Sequence, residues 1–74
     1  MSARPAKHSL TLKGHRTSVS LEPEFWQAFR DIAAAEGKGI NELAAEIDAA
    51  RGVSAGLASA IRVYVLRYHA GGKT

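Results

Sequence analysis

His15-Arg16-Thr17-Ser18-Val19-Ser20-Leu21-Glu22-Pro23-Glu24-Phe25-Trp26 is the stretch on which the fold turns. Its first seven residues alternate: Thr17, Val19 and Leu21 share one parity, and Arg16, Ser18 and Ser20 share the other. A strand's side chains have period two, so this run, rich in Thr, Ser and Val, reads as a strand over His15–Leu21 with one apolar and one polar face. Glu22-Pro23-Glu24 then stops the strand and starts a helix, because proline suits the first helical position and acids there complement the helix dipole. Beyond it the period changes. Phe25, Trp26, Phe29, Ile32 and Ala33 follow helical spacing, with Gln27, Arg30, Asp31 and Glu36 opposite.

Downstream, Gly37-Lys38-Gly39 ends the first helix. A second helix places Ile40, Leu43, Ala44 and Ile47 on one stripe and runs out near Arg51-Gly52. After a short Val53-Ser54-Ala55-Gly56 connection, Leu57, Ile61, Tyr64, Val65 and Tyr68 mark a third helix that Gly71-Gly72 terminates. Upstream, residues 1–7 lack periodicity, contain Pro5 and read as a flexible basic arm; the domain proper runs from 8 to 70, with residues 71–74 as a disordered tail. The expected core, shared between two copies as a dimer core, is Val19, Leu21, Phe25, Phe29, Leu43, Ile47, Ile61 and Val65.

Leu10 and Leu12 have the opposite parity to Thr17, Val19 and Leu21, so one continuous flat strand cannot bury both sets. Gly14 lies between them, where a bulge, kink or turn resets the phase. The strand at His15–Leu21 needs a partner for its backbone groups. Either Ser9–Leu12 folds back through Lys13-Gly14, or the same strand of a second copy pairs antiparallel across a two-fold axis. Lys-Gly is a weaker turn signal than Asn-Gly, and a lone hairpin is marginal in water. The second copy is therefore the favoured partner. The expected fold is mostly α with one β-strand: three helices per chain and an intersubunit antiparallel ribbon, with Val19 near the two-fold axis.

Size points the same way. Seventy-four residues make one domain with a small core. There is no cysteine, which removes disulfides and thiolate metal sites, and His8, His15 and His69 lack the spacing of a helical zinc site. No metal and no cofactor are expected, and oligomerisation is the remaining reinforcement. No apolar run follows the basic N-terminus and no stretch approaches the roughly 20 apolar residues of a membrane span, so a cytoplasmic protein without a membrane partner is expected.

The net charge of +3 is unevenly placed. Residues 1–20 carry Arg4, Lys7, Lys13 and Arg16 and no acid, whereas residues 21–50 hold Glu22, Glu24, Asp31, Glu36, Glu42, Glu46 and Asp48 against Arg30 and Lys38. Arg51, Arg62, Arg67 and Lys73 make the remainder basic again. A basic, acid-free N-terminal segment attached to an acidic middle suits phosphate, although a solvated, solubilising tail has the same composition.

The run His15–Trp26, followed by Ile32-Ala33-Ala34-Ala35-Glu36-Gly37, Asn41–Asp48 and Ser59–Leu66, resembles the ribbon-helix-helix family of bacterial DNA-binding proteins, in particular its short-chain subgroup, over roughly residues 8–69. The resemblance implies a homodimer on double-stranded DNA, acting in transcription regulation, with its paired strands in the major groove. If Thr17, Val19 and Leu21 face the helices, then Arg16, Ser18 and Ser20 point to base edges. Arginine can bond guanine bidentately, and serine hydroxyls can donate or accept at several bases. Phosphate contacts are expected from Lys7, Lys13 and His15. The family's backbone anchor at the start of its second helix carries over to Lys38, Gly39, Ile40 and Asn41. Gly39 stands where the pattern usually has a Ser or Thr cap, and Ser59-Ala60-Ile61-Arg62 resembles the second helix of shorter members, which leaves Ser54–Ala58 as an alternative anchor.

Phe25, Trp26, Phe29, Tyr64 and Tyr68 fit a core or dimer interface better than a base-stacking platform, because they keep helical spacing. His69, near a helix end, needs no function. The carboxylates have no partnered histidine or nucleophile, and no P-loop or dinucleotide fingerprint exists, so an enzyme is not expected. The competing reading is a protein-interaction module, an antitoxin-like or adaptor dimer whose basic segment binds an acidic protein.

Overall fold

The computed structural model describes residues 4–51 and 56–72. Two strands, β1 (Ala6–Leu12) and β2 (His15–Leu21), precede three helices: α1 (Pro23–Ala35), α2 (Ile40–Ala50) and α3 (Leu57–Arg67). A wider helical turn, Tyr68–Gly72, follows α3 and is broken at Gly71, whose φ is 88°.

β2 and the helices lie where the sequence places them, but β2's partner differs from expectation. β1 pairs with β2 antiparallel within the same chain, so each chain has two strands rather than one. The register runs from Ala6 opposite Leu21 to Leu12 opposite His15. Only Lys13 and Gly14 remain for the loop, and both have positive φ, 52° and 83°. That is the signature of a type I′ turn, whose twist matches the flanking strands. Lysine accepts this conformation at a cost of about 1–2 kcal/mol, which is why Lys-Gly is a weak turn signal. The pairing also resolves the phase change. Opposed residues share a face, so the even positions of β1 lie beside the odd positions of β2, and Leu10 joins Val19 and Leu21 in the core. Ala6 and Lys7, expected in the flexible arm, are the first residues of β1.

Pro23 occupies the start of α1, and Glu24 lies in its first turn. Gly37 ends the helix at φ 71°, with Lys38 N–H donating to the Ala33 carbonyl (2.9 Å) and Gly37 N–H to that of Ala34 (3.1 Å). This double closure is the Schellman motif. Leu10, Val19, Leu21, Phe29, Ile32, Ala33, Leu43, Ala44, Ile47, Ile61 and Val65 form one buried cluster drawn from every strand and long helix. Of the positions expected in a dimer core, all but Phe25, which is half-buried at the edge, are already buried within the one chain. The cluster closes within a single chain.

Candidate nucleic-acid interface

The hairpin has two unlike faces. On the inner one Leu10, Val19 and Leu21 are buried, and His8 stacks on Trp26 with ring centroids 3.9 Å apart and planes 4° from parallel. The outer one carries Lys7, Ser9 and Thr11 from β1, directly opposite Ser20, Ser18 and Arg16 of β2, all exposed. Neither row contains an acid or a large apolar group. Every side chain on this face can hydrogen-bond, and two are cationic.

A two-residue loop makes Leu12 and His15 a hydrogen-bonded pair, and the alternation of antiparallel ladders then turns the backbone groups of Ser9, Thr11, Arg16, Ser18 and Ser20 away from the partner strand. Two contacts agree with this. Thr11 N–H donates to Asn41 Oδ1 (3.0 Å), and the Ser20 carbonyl accepts from an Arg62 terminal nitrogen (3.3 Å). The backbone of Arg16 and Ser18 thus faces an edge that no other described strand covers.

Arg62 fixes the end of β2. It donates to both carboxylate oxygens of Glu22 (2.9 and 3.2 Å) and lies 5.9 Å from the Phe25 ring centroid. The Arg62 hydrogen bond holds the Glu22 carboxyl below its ordinary value. A contact across 40 residues, it ties α3 to the strand–helix junction and has no local sequence signal.

The expected phosphate contacts divide. Lys7 and Lys13 lie on the hairpin, exposed, at β1's start and in the turn. His15 is exposed too, but it shares the inner face with Leu12 and Thr17. At the start of α2, Lys38 is already engaged: its ammonium meets Glu46 at 2.6 Å, and that hydrogen bond holds its pKa above the usual lysine value. Its N–H closes α1. Gly39 caps α2 without a side chain, its carbonyl taking the Leu43 N–H (3.0 Å), and the N–H groups of Gly39, Ile40 and Asn41 lack intrahelical acceptors. Asn41 spends its amide oxygen on β1, which seats the start of α2 against that strand's outer edge. The alternative anchor at Ser54–Ala58 lies partly outside the described residues. The sequence alone assigns no role to Ser9, Thr11 or Arg62, which the fold places on the outer face of the hairpin and at the end of β2. The reversed parity of Leu10 and Leu12 was the signal for the first two.

A basic, acid-free β-ribbon backed by helices defines a class of small nucleic-acid-binding folds. The chain matches the ribbon-helix-helix domain over residues 5–69 and belongs to that family. Its members are generally DNA-binding transcription regulators that typically act as dimers, and the fold is not that of an enzyme family. No curated protein and no solved structure is significantly similar to the chain. Among the described residues, no helix is long and apolar enough to cross a membrane, and no group of three or more His, Cys, Asp or Glu side chains is placed to hold a metal.

Proposed function

We propose that this protein is a sequence-specific DNA-binding homodimer, a transcription regulator working in the bacterial cytoplasm, that lays its β-ribbon in the major groove. The observation that carries this reading is the outer face of the hairpin, where Arg16, Ser18 and Ser20 stand exposed on a strand whose other side buries Val19 and Leu21 in the core. A rigid strand can discriminate bases, because fixed geometry makes a wrong donor or acceptor costly. Two copies pair along the free edge of β2, where the Arg16 and Ser18 backbone groups supply the bonds, giving the strand order β1-β2-β2-β1. The two central strands fit a groove about 12 Å wide. The free N–H groups at Gly39–Asn41 anchor a phosphate, as helix starts do.

The test begins with selection from a random duplex pool, followed by fluorescence anisotropy on the selected and a scrambled site across a salt series. Specific binding with a steep salt dependence is expected. Light scattering at micromolar concentration should give twice the chain mass. Failure to bind any duplex at low salt would instead favour the protein-interaction module.

A further inference from the structure

Ser9 and Thr11 of β1 have no task in the ribbon as proposed, although they are exposed like the residues opposite them. We infer that β1 is a phosphate-gripping strand: Ser9 and Thr11, with Lys7 beyond them, bond the sugar–phosphate walls of the groove whose base edges β2 reads. The inference rests on the proposed dimeric ribbon and follows from its width.

Neighbouring strands lie about 4.8 Å apart, so the two outer strands of a four-stranded ribbon are separated by roughly 14 Å. That exceeds the groove's width of about 12 Å, and the outer strands must sit over its walls rather than its floor. The chemistry of the row fits that position. Two hydroxyls and an ammonium donate hydrogen bonds, and phosphate oxygens accept them; no acid of this row opposes the contact. Ser9 and Thr11 are non-hydrogen-bonded partners of Ser18 and Arg16, the pairing in which side chains stand closest, so reading and gripping rows adjoin. The bond from Thr11 N–H to Asn41 holds the strand against the start of α2, whose unpaired N–H groups favour an anion.

The test compares the unaltered chain with S9A, and with S9A combined with T11V, on the selected and scrambled duplexes. Circular dichroism reports whether each variant is folded. The double variant should bind both duplexes about tenfold more weakly, leaving their ratio and the salt slope unchanged, since only neutral groups are lost. S9A alone should lose part of that affinity, and neutral methylphosphonates at the wall phosphates should erase its deficit. A fall in the ratio toward one would overturn the inference and show that β1 reads bases from a hairpin inserted by one chain. Unchanged affinity for both duplexes would overturn it by placing β1 outside the interface. If the unaltered chain binds no duplex, the DNA-binding reading fails first, a result that the variants cannot mimic.

Discussion

The two faces of the hairpin are built from one backbone yet answer to different forces. Inside, Leu10, Val19 and Leu21 are nearly sealed from water, and their loss would open the core. Outside, Arg16, Ser18 and Ser20 are exposed, so folding places little demand on the type of side chain each position carries. The contrast teaches where function is free to vary. The inner row fixes the ribbon's shape, and in the proposed function that rigidity is what would let the outer row discriminate among bases.

The comparison breaks most sharply with one substitution on each face. Val19→Asp places an unpaired charge in the core, at a cost of about 3–5 kcal/mol, a large part of the stability of so small a domain. The expected result is a chain unfolded by circular dichroism. Arg16→Ala should leave the melting curve unchanged and weaken binding to the selected site by roughly 1–3 kcal/mol. Equal loss of thermal stability in both variants would make Arg16 a structural residue and remove the distinction between the faces.

A smaller effect concerns the turn that brings the faces into register. Gly14 has φ 83° and open space where a Cβ would stand, so Gly14→Ala carries a backbone cost of about 1–2 kcal/mol without a clash. The melting temperature should fall by about 4–8 °C for each kcal/mol. Lys13→Asn should raise it, because asparagine accepts positive φ more readily. An unaltered melting temperature in both would mean that the turn does not govern hairpin stability.

This turn also marks the limit of what the sequence made legible. Strand β2, the proline that starts α1 and the stripes of α2 and α3 follow from local periodicity, which short-range forces impose. The pairing of β1 did not, because Lys-Gly is a poor type I′ signal and the orphan-strand argument pointed to a second copy. Yet the parity switch between Leu12 and Thr17 requires an even number of loop residues if both sets share a face, and two is the shortest such loop. The outward register of Arg16, Ser18 and Ser20 was readable from alternation alone. The Arg62–Glu22 and Asn41–Thr11 contacts were not, since they join residues 40 and 30 positions apart and only the folded chain brings them together.

The Glu22–Arg62 bridge gives a pH-dependent test at the end of the ribbon. Its hydrogen bond lowers the folded-state pKa of Glu22, so the acid form is favoured by unfolding. The bridge's contribution is therefore present above the ordinary carboxylate pKa near 4.5 and is lost as pH falls through the depressed folded value. Glu22→Gln should lower the melting temperature slightly at neutral pH, with the deficit vanishing in acid. A deficit that persists at the lowest pH would show that Gln disturbs packing rather than the ion pair.

The smallest expected effect separates the reading face from the anchor at the start of α2. Lys38 is held by Glu46 at 2.6 Å, so its charge is partly spent before any phosphate arrives. Glu46→Gln removes that competitor and an acid from the anchor's surroundings, while leaving Arg16, Ser18 and Ser20 untouched. Binding to selected and scrambled duplexes should strengthen equally, by a few-fold. The salt dependence should steepen by about one unit if Lys38 then neutralises a phosphate. The pair is exposed, so its loss should move the melting temperature little, as is usual for surface ion pairs. Salt-series anisotropy on both duplexes distinguishes the outcomes. A change confined to the selected site would mean that Glu46 influences base recognition, and the reading face could no longer be drawn as the hairpin alone. No change at either site would mean that α2 begins away from the DNA, leaving the ribbon to hold the duplex by itself.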